Sequence, residues 1–100
     1  MPNYSKGQKI WFEEEKHPYT IRACDDRYLV CTKPFNLRKK TVMYTMVDLH
    51  ENIRGTDGYA IGPYDYYNQA DCDSYLKELQ NGEIEISSRN RISLNIKKVK

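Results

Sequence analysis

Asn68-Gln69-Ala70-Asp71-Cys72-Asp73-Ser74-Tyr75-Leu76-Lys77-Glu78-Leu79-Gln80-Asn81-Gly82 is where the period of the sequence changes. Cys72, Tyr75, Leu76 and Leu79 recur at i, i+3, i+4 and i+7, so they share one face of a helix, while Asp71, Asp73, Lys77, Glu78 and Gln80 fall elsewhere. Asn68 can accept a hydrogen bond from the first turn, and Asp71 and Asp73 suit its positive end. Asn81-Gly82 supplies a left-handed stop. The spacing predicts a helix over residues 68–81.

Outward from that helix the period falls to two. Glu83-Ile84-Glu85-Ile86-Ser87 and Ile92-Ser93-Leu94-Asn95-Ile96 alternate as two strands joined by Ser88-Arg89-Asn90-Arg91. Upstream, residues 52–67 contain Gly55, Gly58, Gly62 and Pro63 and read as a long loop, with a short strand at Tyr59-Ala60-Ile61. Before it, Thr41-Val42-Met43-Tyr44-Thr45-Met46-Val47-Asp48-Leu49 is β-branched or aromatic on both faces, as a central strand requires. Tyr19, Ile21 and Ala23 alternate with Thr20, Arg22 and Cys24, turn through Asp25-Asp26-Arg27, and return as Tyr28-Leu29-Val30-Cys31-Thr32, which Lys33-Pro34 ends. Lys9-Ile10-Trp11-Phe12 makes a first strand that closes into the charged turn 13–18.

The expected architecture is α+β: a small, curved, mostly antiparallel sheet of five to seven strands with one helix packed on it. At 100 residues the chain suffices for one core, so residues 1–100 are read as a single domain, with 1–6 expected to be disordered. No repeat or low-complexity linker interrupts it. Mean hydropathy is −0.85 and charged residues make up 30%, polar for a globular chain yet short of the profile of disorder. Nine tyrosines stand against two phenylalanines and one tryptophan, and half-buried sheet faces explain them more simply than a binding surface does.

No apolar run approaches the roughly 18 residues of a membrane span, and the N-terminus lacks the apolar core of a secretory signal, so no membrane partner and a cytoplasmic location are expected. The odd cysteine count, Cys24, Cys31 and Cys72, gives no disulfide framework and fits small buried hydrophobes.

The groups that might carry catalysis do not converge. His17 and His50 lie in or beside turns without a nucleophile-and-base pattern, and pairing Cys31 with His50 has no local support. Cys24 and Cys31 are too far apart in sequence for a zinc pair. Glu13-Glu14-Glu15 and Asp25-Asp26 read as solvated turn acids. Gly55-Thr56-Asp57-Gly58 lacks the spacing of a phosphate loop. No cofactor, metal or small-molecule substrate is implied, and an enzyme is not expected.

Charge is more informative. The net charge is only +2, but it is partitioned. Lys33, Arg38, Lys39 and Lys40 fall in an acid-free stretch, 33–40, and Arg89, Arg91, Lys97, Lys98 and Lys100 in another, 89–100. Residues 55–88 hold seven acids against Lys77. Were the two basic stretches to share a face, they would suit phosphate contacts beside tyrosines; otherwise they solvate a connector and a terminus. Arg89, Asn90 and Arg91 could likewise grip an anion, or Asn90 could serve the turn while the arginines pair with Glu83, Glu85 or Asp48.

The stretch from Arg22 through Tyr28-Leu29-Val30-Cys31-Thr32-Lys33-Pro34-Phe35, then Lys40-Thr41-Val42-Met43-Tyr44-Thr45-Met46-Val47-Asp48, Arg54-Gly55 and Ser88-Arg89-Asn90-Arg91, resembles a family of small uncharacterised proteins of bacteria, their phages and integrative elements. The likeness runs from about Gly7 onward. That family has no assigned activity, so the resemblance implies a phage or mobile-element accessory protein and transfers no catalytic residue. Two readings follow. One is a binding module that contacts nucleic acid through 33–40 and 89–100. The other is a protein–protein adaptor or inhibitor that uses the acidic segment 55–88, with Tyr64, Tyr66 and Tyr67 at its contact.

Overall fold

A computed structural model of the chain describes residues 4–13, 15–36, 41–55, 69–84, 86 and 92–100. Its elements run β1 (Lys9–Phe12), β2 (Tyr19–Cys24), β3 (Tyr28–Asn36), β4 (Thr41–Asp48), β5 (Ile53–Gly55), α1 (Gln69–Gln80), β6 (Ile92–Ser93) and β7 (Ile96–Val99). All strands belong to one antiparallel sheet of order β6-β5-β4-β3-β2-β1-β7. The α+β architecture read from the sequence is the one observed.

The strand order carries a geometric demand. β6 and β7 occupy opposite edges of the sheet, yet only Leu94 and Asn95 separate them. A two-residue joint spans little distance, so the sheet has to curl until its edges approach, and it forms a half-barrel. The joint is fastened from both sides: the Leu94 N–H donates to the Asn52 carbonyl at 3.0 Å, and the Glu13 N–H donates to the Asn95 carbonyl at 2.9 Å. Residues 92–96, expected as one strand, are therefore two.

Curling gives the sheet an inside and an outside, each with its own core. Ile10, Phe12, Ile21, Leu29, Cys31 and Val47 fill the inside. On the outside Val30, Tyr44 and Met46 meet Cys72 and Leu79 of α1. Burial of a side chain such as Leu79 is worth roughly 2 kcal/mol, which is what makes so short a helix dock rather than fray. A register shift between Ile21 and Ala23 marks a bulge at Arg22. The extra residue reverses the alternation: Ile21 faces inward, while Ala23 packs outward under the helix and Cys24 returns to the inner core. The single apolar side expected for Tyr19, Ile21 and Ala23 is thus divided between two cores.

Local chemistry sets the turns. Asp25 Oδ1 accepts from the backbone N–H groups of Arg27 and Tyr28 at 2.7 and 2.6 Å, and Gln80 Nε2 donates to Asp25 Oδ2 at 2.7 Å, tying the end of α1 to the β2–β3 hairpin. The helix stops where expected: Gly82 has φ +74, and the Glu83 N–H donates to the Glu78 carbonyl at 2.9 Å. Glu83, Ile84 and Ile86 join no ladder, however. Ile84 and Ile86 are buried in the helix-side core, so their alternation in sequence reflects burial without strand pairing. β3 continues through Pro34, beyond Thr32, the last residue with a β2 partner; a proline is tolerated where one side of a strand is unpaired. Ile53–Gly55, expected as loop, pairs with β4 as β5. Residues 4–8, the first of which were expected to be disordered, form a turn in which Ser5 N–H donates to Gln8 Oε1 at 2.6 Å and Tyr4 packs on the inner core. The short strand expected at residues 59–61 lies outside the described residues.

Asp48 closes the β4–β5 turn. Arg27 grips both its oxygens, at 3.0 and 2.9 Å, and the backbone N–H groups of His50 and Glu51 donate to Oδ1 at 3.0 and 3.2 Å. Burial alone would raise this carboxyl, but the hydrogen bonds from Arg27 and from the two N–H groups outweigh it and hold its pKa below the usual carboxylate value. A depressed carboxylate stabilises the fold above its unfolded pKa, near 4, and loses that contribution as pH falls through the folded value. Acid titration of stability should therefore show a loss that begins below about pH 4 and is reduced in Asp48→Asn. An unchanged acid limb in that variant would contradict this.

Candidate functional site

Lys33, the one member of the first basic stretch among the described residues, is not turned to solvent. It follows the outward-facing Thr32 by one residue, so the strand alternation sends it inward. There its Nζ meets Glu15 Oε1 at 2.6 Å and sits 4.9 Å from the Tyr19 ring. Glu15 Oε2 in turn lies 3.0 Å from Arg54 Nη2. The oxygen is buried and accepts no well-aligned hydrogen bond, so that contact is an ion pair more than a hydrogen bond. The Arg54 guanidinium stacks 4.1 Å from the Phe12 centroid and its Nη1 reaches Thr45 Oγ1 at 3.5 Å. Tyr19 completes the group; burial, and after it the Glu15 charge, push its phenol up to about 12. One carboxylate here answers two cations, and the chemistry of the cluster is that of a lock across β1, β3 and β5.

The outer surface of the opposite edge differs. Lys9 and Lys100 exchange both backbone hydrogen bonds, at 2.9 and 2.8 Å, and Trp11 is the register partner of Lys98. Because Ile10 and Phe12 point inward, Lys9 and Trp11 point outward, and so do their partners. Three exposed lysines are thereby collected around the half-buried tryptophan, with Lys98 Nζ 4.6 Å from its ring. The outward carboxylate next in sequence, Glu13, lies past the end of β1.

The same row of register partners continues across the sheet. Lys9 opposes Thr20, Thr20 opposes Thr32 and Thr32 opposes Tyr44. Above it lies a groove of about 530 Å³. Lys9, His17, Arg22 and the Glu15-paired Lys33 supply its basic side chains, Thr20 and Thr32 its hydroxyls, and no described lining residue is acidic. Arg22 Nε donates to Thr32 Oγ1 at 3.0 Å, and Gln69 of α1 donates to the Arg22 carbonyl at 2.7 Å. The groove therefore lies over β1 to β4, from Lys9 at one end of the row to Val42. A smaller cavity of about 300 Å³ near the end of α1 sets Arg27 against Asp48 and Glu51, so its lining leans acidic and does not suit a polyanion.

Of the residues singled out in the sequence, Arg38, Lys39, Lys40, Arg89, Asn90 and Arg91, with Tyr64, Tyr66 and Tyr67, lie outside the described residues. Lys97, Lys98 and Lys100 are exposed on β7 and next to it. Asp48, considered as a partner for Arg89 or Arg91, is engaged by Arg27. The described tyrosines are half or fully buried: Tyr19 packs edge-on to Phe12 at 5.6 Å and Tyr44 to Tyr75 at 5.7 Å, as the sheet-packing reading expects. Lys9, Trp11, Thr20 and Arg22 were not foreseen as site residues. Their signal was present as a basic-aromatic alternation with Ile10 and Phe12, but only the pairing with β7 and β2 gives it meaning.

Cys31 is sealed within the half-barrel and burial pushes its thiol up, while the burial of Cys72 raises it to about 11. Among the described residues no three His, Cys, Asp or Glu side chains gather as a metal site, and no helix is long and apolar enough to cross a membrane. No family model, no curated protein and no solved structure matches the chain.

Proposed function

We propose that the protein is a non-catalytic module that binds single-stranded nucleic acid on the outward face of β7, β1 and β2. The observation that carries this reading is the convergence of Lys9, Lys98 and Lys100 on Trp11. Lysines attract a phosphate backbone without reading its sequence, and a tryptophan face offers a platform for an unstacked base. Lys98 covers that face in the free protein, so an arriving base takes the place of a cation that then becomes available to phosphate. The sequence resemblance supports the wider setting: an accessory protein of a phage or mobile element, acting in the cytoplasm.

Trp11 is the sole tryptophan and reports on its own site. Its emission should be quenched on titration with oligothymidylate. The logarithm of affinity should fall with the logarithm of salt concentration with a slope of roughly −2, about −0.7 for each of three phosphate contacts. Emission that does not respond, or binding indifferent to salt, would overturn the proposal.

A further inference from the structure

We infer that the groove over β1 to β4, beside the lysine face, seats one nucleotide of the bound strand, so that Trp11 and the groove together recognise a dinucleotide-sized unit. This rests on the nucleic-acid reading and adds to it where the strand goes after the tryptophan and how little of it suffices. Trp11 and the groove are neighbours: Lys9 lies two residues from Trp11 on the same face of β1, and Pro18, adjoining the Tyr19 that opposes Ile10, lies beside Trp11 on β2's side. A backbone leaving the stacked base toward Thr20 meets Lys9 first.

The groove has the chemistry of a nucleotide seat. Its volume, about 530 Å³, falls within the roughly 300–1,000 Å³ of small-ligand sites. Lys9 stands at one side and Arg22 at the other, which places a phosphate between a point charge and a guanidinium. Thr20 lines the floor, where its hydroxyl can donate to or accept from a sugar. Pro18, Pro34 and Val42 give apolar walls against which a base or sugar edge can pack. Arg22 is held for this task by two elements. The bulge turns it outward, and its hydrogen bond to the buried Thr32 fixes the side chain's direction.

Short ligands separate this inference from the broader reading. Trp11 emission is titrated with thymidine monophosphate, and with oligothymidylates of about two, four and about twelve nucleotides, all 5′-phosphorylated. The expected result is saturable quenching by the dinucleotide at an affinity within about tenfold of the longest strand, and much weaker binding of the mononucleotide. Thr20→Val keeps a strand-favouring side chain of the same shape, so folding is retained, and it should weaken the dinucleotide by about five- to tenfold. Lys9→Met should weaken it further and reduce its salt dependence. An affinity that climbs more than about a hundredfold from four to twelve nucleotides, or a dinucleotide affinity unchanged in Thr20→Val, overturns the groove as a seat and leaves the lysine-tryptophan face standing. Absence of quenching at every length overturns both.

Discussion

Replacing Glu15 by alanine should destabilise the protein by about 3–5 kcal/mol, the usual cost of leaving buried charge without its partner. Glu15 neutralises two cations at once. Without it Arg54, whose side chain is 5% exposed, and Lys33, at 15%, face each other in a site closed by Phe12 and Tyr19. Lys33 can extend its amine toward water at a modest entropic cost, but the Arg54 guanidinium lies over a fully buried ring and has no such route. Arg54→Met should cost less, since Lys33 still answers the carboxylate. The double change Glu15→Ala with Arg54→Met should recover part of the loss, because an apolar side chain in place of a buried ion often costs nothing. Denaturant unfolding of the four proteins measures the coupling. A loss under about 1 kcal/mol for Glu15→Ala would show that the cluster is solvated and contributes as little as surface pairs do.

Combined replacement of Lys9, Lys98 and Lys100 by alanine should lower the affinity for single-stranded oligonucleotides on the order of a hundredfold or more at low salt. It should also remove about two units from the salt slope, leaving little to titrate. All three side chains are exposed and engage no carboxylate among the described residues, so unfolding curves should scarcely move, which separates lost binding from lost structure. Trp11→Phe should act differently, reducing affinity while leaving the slope intact, because a stacked base releases no counterion. A triple variant that binds as tightly as the parent would place the interface elsewhere on the chain.

The parts of the fold that were legible in the sequence are those that local chemistry alone decides. The α1 segment combined apolar period, acidic first turn and glycine stop, and Asp25 announced the hairpin it caps. What escaped were features that exist only through distant pairing. β5 reads as loop because it is three residues long, holds an arginine and ends in glycine, and nothing nearby in sequence reveals that Glu15 and Phe12 wait for Arg54. Ile84 and Ile86 alternate like a strand because burial on one side produces the same period whether or not the backbone finds a ladder. The bulge at Arg22 likewise leaves no mark that composition can show. The candidate site was legible in half: the cationic character of residues 97–100 was plain, but their meeting with Trp11 depends on the curl of the sheet. Lys33 reads as one charge of a basic stretch, whereas alternation along β3 turns it to Glu15.

The two-residue joint at Leu94 and Asn95 bears on when the interface comes into being. Trp11 and Lys98 come from opposite ends of the sequence, and contacts of such separation form late, since loop closure is entropically expensive until the intervening hairpins have drawn the ends together. A chain with β2, β3 and β4 already zipped would carry every lysine and still display them as scattered charges. Only when the joint is fastened to Asn52 on one side and Glu13 on the other do they gather around an indole. Under the proposed function, affinity for a polyanion would belong to completed molecules alone, and partly folded ones would be spared premature capture by nucleic acid.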